Sequence, residues 1–232
     1  SRFVHRNGTG VTESPRDTPG PVIEYRRLEA PVALPDDVLC AVTFGARSES
    51  VDDPRCVRVG LEPLAGGGLV EVWHASGRVH RGYDGLVRYT HDEHHLAAAI
   101  EIDESRYGGI AAAAQVAYAA MASFQAAVQF PQVLRVWNYF DAINEGDGDG
   151  ERYRQFCVGR TAGLGDALAK PYPAATAIGR RDGDRTLQVY WLAGRVPGRA
   201  IENPRQVSAY LYPRRYSPSP PVFSRAMLVS PE

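Results

Sequence analysis

Short apolar runs alternate along the chain with clusters of Gly, Pro, Asp and Ser until residue 109, where the period changes. Runs at 40–44, 57–61, 69–73, 86–90 and 96–102 are brief and bounded by such residues, which predicts strands. "AGGGL" at 65–69 reads as a turn. Between 109 and 130, Ile110, Ala114, Ala117, Met121, Phe124 and Val128 recur at steps of three and four. That spacing predicts one amphipathic helix, ended by Pro131. Its alanine-rich seam predicts close approach of a sheet. "VLRVWNYF" at 133–140 alternates on both faces and predicts a strand. Residues 151–168 predict a second helix, with acidic residues before its first turn. Strands are predicted again at 174–178, 187–193 and 207–212, with "RRDGDR" as a hairpin turn between the first two. Strands outnumber helices, so the expected fold is α+β: a mixed sheet with helices packed on one face. Residues 1–20, polar and bearing Gly and Pro, are expected to form a flexible arm.

Composition narrows the function more than the fold. The chain has 232 residues, 44% of them hydrophobic, enough for a sizeable core. A net charge of −1 provides no global field for nucleic acid or an anionic membrane, so an anion site must be a local cluster. No apolar run approaches the ~20 residues of a membrane span. The opening "SRFVHRNGTG" has no apolar core of a secretory signal, and its first residue, Ser1, predicts a trimmed N-terminus. Cys40, Cys56 and Cys157 are widely spaced and form no CxxC, which predicts unpaired thiols and a cytoplasmic location.

Two motifs suggest metals and fail on inspection. "INEGDGDGERYRQFCVGR" (143–160) opens like a calcium loop. Starting at Glu145 places Gly150 at position 6, but Phe156 stands where the bidentate carboxylate belongs. Starting at Asp147 places Arg152 where glycine is required. "HDEHH" (91–95) has the i, i+4 histidines of a zinc helix, but with Asp92 in place of the general base and strand-like flanks, so a polar hairpin turn is expected. Cys157, among apolar and aromatic neighbours, is expected to be buried rather than nucleophilic. Motifs for nucleotide phosphates and for a nucleophile elbow do not occur. The denser signal is C-terminal, where Arg135, Arg152, Arg154, Arg160, Arg195, Arg199, Arg205 and Arg225 interleave with Tyr139, Tyr153, Tyr190, Tyr210 and Tyr212. Guanidinium forks and phenols suit a small aromatic or cyclohexadienyl dianion, although any single arginine is more simply a surface residue.

"LRVWNYFDAINEGDGDGERYRQFCVGR", "YPAATAIG", "VYWLAGR", "IENPRQVSAYLYP" and "FSRAMLV", in that order, resemble the chorismatase family. The resemblance implies a RidA-like architecture of two domains, with residues 21–221 as the N-terminal one and 222–232 as the start of a second that is cut off. It implies conversion of chorismate, with loss of pyruvate, to 3-hydroxybenzoate or a dihydroxycyclohexadiene carboxylate for secondary metabolism, with no metal and no organic cofactor. The reaction would begin with protonation of the enolpyruvyl methylene by a carboxylic acid of raised pKa. In the family that glutamate lies beyond the equivalent of residue 229, so the catalytic acid is expected outside this chain, on its own C-terminal segment or a second chain. Arg154 and Arg160 are the expected carboxylate binders. Tyr210 and Tyr212, two apart on one strand face, are expected to hold the ring or a carboxylate, with Arg205 and Arg225 in support. Ala226 is expected to bear on product choice, because a small side chain leaves room for water or substrate. The competing readings are an anion-binding module without catalysis and a purely structural subunit.

Overall fold

The computed structural model describes residues 20–27, 34–45, 52–61, 64, 67–168, 170–214, 218–219 and 221–229, so the expected N-terminal arm lies almost wholly outside the described residues. Twelve strands and two α-helices follow in the order β1 (Val22–Arg27), β2 (Val38–Phe44), β3 (Cys56–Val59), β4 (Leu69–His74), β5 (His80–Asp84), β6 (Val87–His91), β7 (His95–Asp103), α1 (Ile110–Ala127), β8 (Gln132–Asp141), α2 (Arg152–Leu164), β9 (Ala174–Arg180), β10 (Thr186–Gly194), β11 (Arg199–Ile201) and β12 (Ala226–Leu228).

A six-stranded mixed sheet, ordered β5-β6-β7-β10-β8-β9, forms the centre. Its middle strands are apolar on both sides because both faces are covered. Along β10, Leu187, Val189, Trp191 and Ala193 face the two helices, while Tyr190 and Leu192 face a second sheet, ordered β1-β4-β2-β3. Helices therefore pack on one face only, as the α+β expectation held. The apolar α1 is long enough to cross a membrane, yet its apolar stripe is spent here on the core: Ile110, Ala113, Ala114, Ala117, Tyr118, Met121 and Phe124 are buried.

The small-residue seam of α1 serves a neighbour that the pattern did not specify. A Cβ at Gly159 of α2 would lie 1.9 Å from the Ala111 carbonyl oxygen, and one at Gly163 would lie 2.3 Å from that of Gln115. The two helices thus touch backbone to backbone. Alanine is the better helix former by about 1 kcal/mol, but here the obstacle is backbone that cannot rotate away. Gly159→Ala is expected to destabilise the protein by about 1–3 kcal/mol net, read as a lower thermal midpoint.

Two connections differ from expectation. Asp182 and Gly183 do turn the chain, but β9 and β10 are not a hairpin, because β8 lies between them. The parallel β8–α2–β9 crossover puts β9 outside β8, and β10 must return between β7 and β8. The turn is held over the end of β8, where the Gly183 N–H donates to Asp141 Oδ1 at 3.2 Å and buried Arg180 pairs with Asp182 at 2.9 Å. The expected strand at 207–212 contains instead a 3-10 turn at Ala209–Leu211, with Ala209 as its buried anchor.

"HDEHH" is the expected hairpin turn, joining β6 to β7. Asp92 holds it: one carboxylate oxygen accepts from the His94 and His95 N–H groups at 2.8 and 2.7 Å, the other from Ser76 N–H at 2.8 Å. Burial alone would raise the Asp92 pKa, but the three donors outweigh it and the net shift is downward. A carboxyl depressed in the folded state contributes stability above its unfolded value of about 3.9, lost as pH falls through the folded pKa. The stability gap between wild type and Asp92→Asn is therefore expected to be full at neutral pH and to narrow below about pH 4, measured as denaturation midpoints across pH.

Candidate anion-binding site

The α2 sequence places Tyr153, Phe156 and Arg160 at i, i+3 and i+7, on one side of the helix. That side faces the β8–β9 pair. Ala175 and Ala177 on β9 are too small to fill the space, and Phe223 and Arg225 close it from the C-terminal segment. The result is a cavity of ≈ 500 Å³, also lined by Asn138, Ile143, Asn144 and Thr176. The volume is in the range of small-molecule pockets.

Among these lining residues are two arginines and no carboxylate. Arg160 is 5% exposed. It donates to the Val222 carbonyl and lies 5.5 Å from the Tyr118 ring, and its Nε–H has no partner. Arg225 donates to the Tyr212 hydroxyl and, at 3.4 Å, to the Val207 carbonyl, and its buried Nε–H is likewise unpaired. Buried cationic donors without an anion are costly unless something supplies the charge. Burial, with Cys157 beside it, holds the Tyr153 phenol far above its ordinary pKa, so it stays a neutral hydrogen-bonding group. A larger cleft of ≈ 570 Å³ between the two sheets contrasts with this one. There Arg88 pairs with Glu101 at 2.9 Å and Arg180 with Asp182, and five carboxylates face three arginines.

The expected site residues divide. Arg160 and Arg225 line the cavity, and Tyr212 touches it through Arg225. Arg154, one step round the helix from Tyr153, turns outward to Asp149 and Glu151 at 3.4 and 3.3 Å. Tyr210 and Tyr212 do not share a strand face, because residues two apart in a 3-10 turn diverge. Tyr210 packs on Tyr172, with the Lys170 ammonium 4.7 Å from its ring. Arg205 is exposed. Ala226, next to Arg225, is exposed and pairs with Ile201 across the β11–β12 ribbon. The interleaving of arginines and tyrosines includes Tyr153 but gives no sign of Phe156 or Asn138.

The model of the N-terminal part of FkbO/Hyg5-like chorismatases matches residues 71–193, more than half of the chain. The chain belongs to the chorismatase family. A chorismatase of Streptomyces rapamycinicus is 38% identical over 167 residues, covering 70% of this chain and 49% of that protein. A 3-hydroxybenzoate synthase of Streptomyces hygroscopicus is 36% identical over 169 residues, covering 71% and 47%. A chorismatase crystal structure superposes with a TM-score of 0.78 at 30% identity, over 91% of this chain and 65% of that one. This chorismatase-family chain thus spans about half the length of the curated relatives it matches. The matched region contributes Asn138, Tyr153, Phe156, Arg160 and the β9 alanines to the cavity, whereas Phe223 and Arg225 lie beyond it.

Proposed function

We propose that this chain is the RidA-like, substrate-holding half of a chorismatase, acting on chorismate with release of pyruvate in secondary metabolism. The observation that carries this reading is a pocket with two partly unpaired guanidiniums, Arg160 buried and Arg225 half-buried, and no carboxylate among its lining residues. Chorismate is a dianion with a flat ring. Arg160 and Arg225 offer donors to its carboxylates, and Tyr153, Phe156 and Phe223 offer aromatic surface to its ring. The chemistry requires a carboxylic acid near the enolpyruvyl methylene, and none of the lining residues is one. The general acid is therefore assigned to a further C-terminal segment or a second chain that completes the site. The product is 3-hydroxybenzoate or a dihydroxycyclohexadiene carboxylate, and we assign Ala226 a bearing on the choice, a reading supported by its adjacency to Arg225. Cys40, Cys56 and Cys157 form no disulfide, and two of them are buried, which supports a reducing, cytoplasmic setting. The test is incubation of the complete native protein with chorismate, with pyruvate and ring products measured. Pyruvate release is the expected result. Chorismate binding without pyruvate would replace the enzyme by an anion-binding module, and neither would leave a structural subunit.

A further inference from the structure

Arg160 makes no ion pair among the described residues, although it is 5% exposed. Something other than a counter-ion must hold a buried guanidinium in place. Its ring contact is Tyr118, which comes from α1, a helix that contributes nothing to the cavity wall. Tyr118 is 1% exposed, and its ring centre lies 5.5 Å from the Arg160 guanidinium carbon, within reach of a cation–π interaction. The Tyr118 hydroxyl donates at 2.6 Å to Asn138 Oδ1, and Asn138 Nδ2 donates at 3.0 Å to the Thr176 carbonyl. Asn138 lines the cavity. Its amide is therefore clamped at both ends, nitrogen toward Thr176, with one N–H left to give. Burial raises the Tyr118 pKa, so the hydroxyl keeps its proton and remains a donor to this clamp.

We propose that Tyr118 is a positioning residue for anion recognition: its ring supports the Arg160 guanidinium, and its hydroxyl fixes the Asn138 amide in the same wall. The role rests on the reading of the cavity as the chorismate site, and it differs from a packing role in one measurable respect. A packing residue affects ligand affinity whether or not Arg160 is present. A positioning residue acts through its partners, here the ring through Arg160 and the hydroxyl through Asn138.

The experiment is a double-mutant cycle on the complete protein, with chorismate and benzoate as calorimetric probes and pyruvate release as the kinetic readout. Tyr118→Leu removes ring and hydroxyl and is expected to raise the chorismate Kd and KM about tenfold, with a smaller change in kcat. Tyr118→Phe keeps the ring and is expected to raise them about threefold. In an Arg160→Ala background the effect of Tyr118→Leu is expected to fall from about tenfold to the roughly threefold that the hydroxyl carries through Asn138. Tyr118→Phe preserves volume, and in an Asn138→Ala background it is expected to have no further effect on affinity, so that cycle decides the matter if the leucine variant does not fold. Additive effects in these cycles, or unchanged affinity in the single variants, overturn the proposal. Benzoate binding with coupled cycles but no pyruvate release would retire the chorismatase reading and leave the positioning role standing. Pyruvate release with additive cycles would do the reverse, and failure of both anions to bind the wild type would overturn both.

Discussion

Replacing Arg160 with alanine is expected to weaken chorismate binding by one to two orders of magnitude, without a matching loss of stability. A charge-assisted hydrogen bond contributes about 1.5–3 kcal/mol, and each 1.4 kcal/mol is about tenfold in affinity. Stability responds differently because Arg160 is buried with an unpaired Nε–H. Its removal loses the Val222 bond and the Tyr118 contact but also relieves an uncompensated buried charge. The two terms oppose, so the denaturation midpoint is expected to stay within about 1 kcal/mol of wild type. Arg154→Ala is the control. Its partly exposed pairs with Asp149 and Glu151 contribute roughly 0–1 kcal/mol, and its loss is expected to leave affinity unchanged. Equal losses of affinity in the Arg154 and Arg160 variants would show that the cavity is not the anion site.

The contrast between these arginines marks how far the sequence could be read. In α2 the apolar stripe runs Tyr153, Phe156, Cys157, Arg160, Leu164, and only Arg160 is a charge on the buried side. That anomaly is visible in the helical period alone. Arg154 shares a motif with Arg160 but not its side of the helix, and motif order carries no information about facing. Asn138 carries no such mark: it sits inside a strand predicted from alternation on both faces, and its significance comes from Tyr118, twenty residues away on a helix. The central strands were legible because burial on both faces leaves long apolar runs. The edges were not. β1, "VIEYRR", is exposed along its whole length, and β5, "HRGYD", is nearly so. Neither carries the alternation that half-burial would impose. β11 and β12 have three residues each and exist because Met227 inserts beside Gly198 and into the layer between the sheets, a tertiary cause with no local signature.

The largest stability effect is expected at Glu104, which follows β7 in a short 3-10 turn and is 2% exposed. One Arg152 nitrogen donates to both its carboxylate oxygens, at 2.8 and 2.9 Å. The Arg152 Nε–H donates at 3.1 Å to the Asp141 carbonyl at the end of β8. This one side chain thus ties the exit of β7, the exit of β8 and the first turn of α2. Glu104→Ala leaves a guanidinium in a site that is 13% exposed, with no buried carboxylate opposite, and is expected to cost about 3–5 kcal/mol. Glu145, 3.8 Å from Arg152 Nε, is more than half exposed and compensates little. Glu104→Leu combined with Arg152→Met removes both charges and is expected to recover most of the loss, because desolvation of the pair offsets much of its attraction. The check is urea denaturation of the two single variants and the double, and costs that simply add would show that the pair is not coupled. Arg152 is followed directly by Tyr153 on the cavity wall, so the single variants are also expected to raise the KM for chorismate. The double variant, with α2 again seated on the sheet, is expected to bring it back toward wild type. A double variant that regains stability but not KM would separate the two roles, and would mean that the charge on Arg152, rather than the seating of α2, is what the cavity requires.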